Sequence, residues 1–268
     1  MFKVACVIPT YGAFDYAADA CRSFLEFTPG ATCFHLDDAS PNWPMDGLLP
    51  GELQGIGGRA GRFLSKHFSD NCGLTAVWNY GLQMAFDDVI EHDYVVVTNS
   101  DVVFTPGWFH GVRSALDAGC DLVGPVTNAP GTEEAQHARR FDPEFYQVSD
   151  ASDYLAFLAE RLRRFDHKPR EGPINGFCMI ARTETWRKHM YDAEHVFKPR
   201  NDVNSKGQPN PTPLMTLQEY ELQARWRKAG LKIGYVPKSY VFHYRAVSRG
   251  DKNRRGDWYR KEKGDGET

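Results

Sequence analysis

Short apolar runs and amphipathic stretches alternate along most of this chain. Residues 3–9 (KVACVIP) form a β-branched apolar run of the kind that fills a buried parallel strand, and 13–27 carry apolar positions at helical spacing. The alternation repeats. Residues 31–36 (ATCFHL) and 62–68 predict strands, 74–86 a helix, and 94–98 (YVVVT) the clearest strand of all. Pro106 opens a helix that runs to Leu116; 122–126 and 174–181 predict strands, 217–229 a helix, and 231–236 a last strand. The Pro- and Gly-rich stretch 41–61 predicts a loop. Strands interleaved with helices in this order predict an α/β fold, with a single mainly parallel sheet flanked by helices on both faces.

Ligands of such sheets bind beyond the carboxyl ends of the strands. Thr10-Tyr11, Asp37-Asp38 and Asn99-Ser100-Asp101 all stand at such ends. Asn99 and Asp101 are two apart on extended chain and project together. A carboxylate there is placed to hold a divalent cation that bridges two phosphates. Turn chemistry ahead of Pro106 explains the same tripeptide as well, so by itself it decides nothing.

The segments VIPTYG, LDDASP, DNCGLTAVWNYGLQMA, VVTNSDVVFTPGWF, INGFCMIAR and QEYELQARWRKAGLKIGYVPKSYVFHY, taken in order, resemble family 2 glycosyltransferases with the GT-A fold. Bacterial rhamnosyltransferases and related enzymes of polysaccharide synthesis are the members it most resembles. The resemblance runs from Val4 to His243; order and spacing carry it, not any one motif. It implies that Pro9, Thr10 and Tyr11 border the nucleotide base and that Asp37 and Asp38 hydrogen-bond the base and ribose. Asn71, Gly73, Asn79 and Gly81 match a turn and helix start near the donor. Asn99-Ser100-Asp101 matches the DxD position, with Asp101 as the metal carboxylate and Asn99 turned to ribose or water.

Gly176 matches a turn beside the acceptor, where a missing side chain admits the sugar. Gln218-Glu219-Tyr220-Glu221 stands where the family has Glu-Asp-Val-Asp. The catalytic base is therefore Glu219 or Glu221, and the register favours Glu219. His243 matches a histidine that completes the metal shell, although a lone histidine after an apolar run also reads as a core residue. Arg245 and Arg249 follow it and are placed to grip a pyrophosphate. The resemblance thus implies Mn2+ or Mg2+ as cofactor and a nucleotide-diphosphate sugar as donor. The acceptor is a hydroxyl on a glycan, with a modified nucleobase as the weaker alternative. Direct displacement inverts the anomeric carbon.

Composition narrows the classes further. A net charge of −3 over 268 residues gives no general attraction to nucleic acid or anionic lipid, although basic residues gather after Lys238. The chain divides into a catalytic domain, 1–243, and a partly mobile basic extension, 244–268. The stretch 195–216, rich in Pro, Asn and Lys, reads as a mobile insertion ahead of the base. Six cysteines show no metal-ligand or disulfide spacing. No apolar run has the length of a membrane span or the form of a signal peptide, which leaves a cytoplasmic location as the default. The glycines of 55–61 lack the strand and helix that a dinucleotide fingerprint needs, and no Gly-rich activation segment near the N-terminus supports a pyrophosphorylase. The altered base motif keeps one non-enzymatic alternative open, a degenerate domain that binds nucleotide sugar or carbohydrate without turnover.

Overall fold

The computed structural model describes residues 2–12, 14–28, 30–41, 43, 61–131, 133–142, 165–166, 168–199 and 218–244. Nine strands form one sheet: β1 (Val4–Thr10), β2 (Ala31–Asp37), β3 (Arg62–His67), β4 (Tyr94–Thr98), β5 (Val102–Phe104), β6 (Leu122–Val126), β7 (Arg170–Glu171), β8 (Cys178–Arg182) and β9 (Ile233–His243). Among the described residues five α-helices accompany them: α1 (Phe14–Phe27), α2 (Leu74–Asp87), α3 (Trp108–Asp117), α4 (Thr183–Lys188) and α5 (Gln218–Lys228).

The sheet order is β3-β2-β1-β4-β8-β6-β9-β5, with β7 pairing β9 off that path. The first four strands are parallel, as the apolar runs of β1, β2 and β4 predict, with the partly exposed β3 at the edge. β8 then reverses the direction against β4 and β6, and β5 runs antiparallel to β9. These reversals have a positional consequence: the end of β4, the start of β8 and the end of β9 meet at one edge of the sheet.

Both faces are covered, and β1 shows why. Val4, Cys6 and Ile8 enter one apolar cluster with Ala20 and Phe24 of α1 and Trp108 and Val112 of α3. Ala5 and Val7 point the other way, into a cluster with Trp78 and Leu82 of α2, Trp186 of α4 and Trp226 of α5. Strict alternation along a strand produces this split. Gly81 lets α2 lie close on the sheet, since a Cβ there would stand 2.3 Å from Val7 Cγ1. The four fully buried tryptophans each find an acceptor for the indole N–H: Thr98 O for Trp78, Thr28 Oγ1 for Trp108, Val95 O for Trp186 and His189 O for Trp226. Each therefore buries a large ring without leaving a polar atom unpaired. Truncating any one to alanine costs about 3–5 kcal/mol.

Candidate active site

The carboxyl ends of β1, β2 and β3 form one half of the site. Parallel register sets Thr10 beside Asp37, and Asp37 beside His67. Asp37 is fully buried. Its Oδ2 accepts the Ser40 N–H at 2.9 Å and lies 2.6 Å from His67 Nδ1, while Oδ1 accepts the Ser40 hydroxyl at 2.5 Å. Ser40 Oγ accepts the Gly12 N–H at 2.7 Å, which ties the loops after β1 and β2 together. Ala39 is held at φ 59°, a left-handed conformation that side chains resist. Asp38 accepts the backbone N–H groups of Cys72 (2.7 Å) and Gly73 (2.9 Å) at the start of α2, and Asn71 Nδ2 donates to the Asp38 carbonyl. The acidic pair thus holds the loops that shape this end.

Around it stands an aromatic group the sequence reading passed over. His35 stacks on Trp43 and on Phe63, and Trp43 stacks on His67 at 5.0 Å. His35 is bonded through its two ring nitrogens to the Thr10 and Ser65 hydroxyls. Burial lowers its pKa to about 4, against an opposing pull from Asp37. Burial, with the Asp38 carboxylate second, pushes the Cys72 thiol up to about 12, so it is no nucleophile. Pro9 is buried and Tyr11 is exposed.

The second half is built by β5 and β9. Their ladder pairs Val102 with His243, and the Tyr244 N–H donates to the Asp101 carbonyl at 2.9 Å. Asp101 and His243 are both buried, with Oδ1 and Nε2 3.3 Å apart. His243 Nδ1 lies 2.8 Å from the Ala129 carbonyl, which can only accept, so Nδ1 carries the proton. Nε2 then presents its lone pair to a carboxylate oxygen. Two acceptors at that distance call for a cation between them, a proton or a metal ion, and a backbone-bonded Nδ1 is the usual support of a metal-ligating imidazole. Asn99 donates its N–H to the Phe177 carbonyl at 2.9 Å, and Ser100 beside it is half-buried.

The third component is α5 against the turn before β8. Glu219 is buried on Gly176: a Cβ there would stand 3.1 Å from Glu219 Cδ. A side chain at 176 would crowd the carboxylate and make it shift by a few tenths of an ångström. Gln223 grips the same turn twice, accepting the Ile174 N–H at 2.9 Å and donating to its carbonyl at 2.7 Å. Gln136 accepts the Asn175 N–H at 2.6 Å. Glu221 is directed elsewhere and accepts from Arg225 Nε at 3.1 Å; Arg225 spends its other nitrogens on the His189 and Val196 carbonyls. Asn79 clips the same segment from α2, bonding Phe197 O, Val196 N and Phe197 N. A cavity of about 320 Å³ opens between that segment and α2, beside Cys72, Thr75 and Tyr80.

The structure thus brings Thr10, Asp37, Asp38 and Asn71 together at one end, Asp101 with His243 at the other, and Glu219 onto Gly176. It assigns Asn79 and Glu221 to holding the 189–197 segment. Gln136, Gln223 and Asn128 were missed because a side-chain amide that grips backbone leaves no spacing pattern. Arg245, Arg249, the extension beyond Tyr244 and most of the insertion lie outside the described residues.

The family model for glycosyl transferase family 2 matches residues 5–185. The chain belongs to glycosyl transferase family 2. The match takes in Asp37, Asp38, Asp101 and Gly176 and stops short of Glu219, Glu221 and His243. Solved glycosyltransferases share the GT-A fold. S. aureus TarS in complex with UDP aligns at TM-score 0.54 and 14% identity, covering 90% of this chain and 60% of TarS. GalNAc-T7 with UDP, GalNAc and Mn2+ aligns at TM-score 0.56 and 15% identity, over 91% of this chain and 44% of that one. The mannosyltransferase PcManGT from Pyrobaculum calidifontis, with GDP-Man and Mn2+, aligns at TM-score 0.54 and 12% identity, over 99% and 65%. The chain spans less than two thirds of each of these structures. No curated protein matches the chain significantly. Membership supports sugar transfer from a nucleotide-sugar donor. Among the described residues no helix is long and apolar enough to cross a membrane.

Proposed function

We propose that this chain is a metal-dependent, inverting glycosyltransferase that moves a sugar from a nucleotide-diphosphate donor to an acceptor hydroxyl. The observation that carries the reading is the meeting of Asp101 Oδ1 and His243 Nε2, 3.3 Å apart, beyond the ends of β4 and β9. Among the described residues no group of three or more His, Cys, Asp or Glu gathers, so phosphate oxygens and water would complete the shell of Mn2+ or Mg2+. A cation bound there would offset the charge that builds on the departing diphosphate.

The other roles fall to side chains. The ends of β1, β2 and β3, with Pro9, Thr10, Tyr11 and the loops held by Asp37 and Asp38, receive the nucleoside. Glu219 takes the acceptor proton as the acceptor oxygen bonds to the anomeric carbon and the bond from that carbon to the diphosphate breaks. Attack opposite the leaving group inverts the centre. Glu221 accepts from Arg225, and the buried position of Glu219 against Gly176 supports Glu219 as the base. Arg245 and Arg249 add charge for the pyrophosphate, and 1–243 is the catalytic unit, with 244–268 as its basic extension. Six free cysteines agree with a cytoplasmic setting. GalNAc-T7 and PcManGT, both solved with Mn2+, support the metal.

The test is release of nucleoside diphosphate from UDP- and GDP-sugars with Mn2+, with the freed hexose read by proton NMR before it mutarotates. The expected result is release that chelator stops and an inverted anomer. A retained anomer would end the inverting mechanism. Nucleotide binding without release would favour the degenerate, non-catalytic domain.

A further inference from the structure

Asn128 stands two residues beyond the end of β6. The β6–β9 ladder shifts register between Pro125 and Val126 and closes on the pair Val126–Tyr240, short of His243. The Asn128 side chain continues that ladder where the backbone stops. Its Oδ1 accepts the His243 N–H at 2.8 Å, and its Nδ2 donates to the His243 carbonyl at 3.0 Å. The Thr127 hydroxyl at 3.2 Å and the Tyr240 hydroxyl at 3.4 Å donate to the same Oδ1, so the amide cannot flip without loss. The next residue, Ala129, supplies the carbonyl that accepts from His243 Nδ1 at 2.8 Å. Phe177 stacks on the imidazole at 5.1 Å with 16° between the planes.

We propose that Asn128 is the positioning residue of the His243 imidazole: it locks the backbone of His243 to the chain that carries the Ala129 carbonyl, so that Nε2 faces the cation shared with Asp101. The proposal rests on the metal reading given above. Its physical basis is the shared frame. Ring orientation and tautomer depend on one carbonyl, and that carbonyl holds its place against His243 only while the Asn128 amide joins the two segments. Without the amide the Nδ1 bond lengthens, and the ring gains freedom to rotate or to carry its proton on Nε2. Either change removes a lone pair from the cation. Partners of this kind are worth about 10–100-fold in metal affinity.

The test uses the full chain and Mn2+ alone, with free Mn2+ followed by electron paramagnetic resonance. Asn128→Ala is expected to weaken Mn2+ binding about 10–100-fold. Its donor-hydrolysis rate should recover as Mn2+ is raised to saturation, whereas a merely structural role would depress the rate at every Mn2+ concentration. If Asn128→Ala does not fold, as judged by circular dichroism, Asn128→Gln takes its place. It keeps the amide but sets it one methylene too far, and the same weakening is expected. His243→Ala separates the two layers of the argument. Loss of binding in His243→Ala with wild-type binding in the Asn128 variant would overturn the positioning role and leave the metal reading standing. Wild-type binding in His243→Ala would overturn both.

Discussion

At the β1–β2–β3 edge, Asp37 and Asp38 accept hydrogen bonds from Ser40, Cys72 and Gly73, and Asp37 also meets His67. Beyond the ends of β4 and β9, Asp101 Oδ1 lies 3.3 Å from His243 Nε2, and Glu219 is seated where a Cβ at position 176 would stand 3.1 Å from its Cδ. One pair of carboxylates is occupied in holding loops. Asp101 and Glu219 are the two to which the proposed mechanism gives the metal and the acceptor proton. The same residue type therefore holds loops at one place and, in the proposed mechanism, serves the transfer at the other.

Substitution should separate them in size and in kind. Glu219→Gln is expected to retain nucleotide binding and to lose about 10²–10⁴-fold in turnover, as removal of a general base does. Glu221→Gln should cost less than about tenfold, because that carboxylate serves Arg225 and not the acceptor. The reverse pattern in single-turnover rates would move the base by two residues. Asp38→Ala acts on the fold: it strands the Cys72 and Gly73 N–H groups, costs about 1–3 kcal/mol and lowers the melting temperature by several degrees. An unchanged melting curve would show that the β2 end does not depend on the pair.

Smaller effects sharpen the contrast. Gly176→Ala must push the Glu219 carboxylate by a few tenths of an ångström, and a tenfold loss in kcat with little change in donor KM is expected, of the order that slight misplacement produces. His35 tests the β1–β2–β3 end through pH. Its folded pKa of about 4 lies below the unfolded value of 6.5, because burial disfavours the charged ring. The unfolded chain therefore takes up the proton first. Its contribution to stability is complete above pH 6.5 and falls by about 1.4 kcal/mol per pH unit as pH drops towards 4. His35→Gln should flatten that slope between pH 6.5 and 5 in denaturant titrations; an unaltered slope would place the titration elsewhere.

The strands and helices that bury one apolar face or run were legible in the sequence, because period and length suffice to read β1, α1, α2 and β4. β5 was not. Its three residues, Val102–Phe104, follow a turn tripeptide, and only their distant partner β9 makes them a strand. The last strand was read too short, because Pro237 and Lys238 interrupt an apolar pattern that the β9 bulge restores by Tyr240. Motif order singled out Asp101, Glu219 and His243 as candidates. It was silent on Asn128, Gln136, Gln223 and Arg225, whose value lies in backbone groups they grip far along the chain.

The central claim is that transfer runs through a cation held by Asp101 and His243. The measurement that tests it most directly is the rate of nucleoside diphosphate release across a Mn2+ titration, for the wild-type chain and for Asp101→Ala. The wild type should rise from nothing in chelator to a plateau. Asp101→Ala should lose about 10³-fold, since several kcal/mol of charge stabilisation disappear at roughly tenfold per 1.4 kcal/mol. Wild-type turnover in excess chelator, or an Asp101→Ala variant as fast as the wild type, would contradict the account.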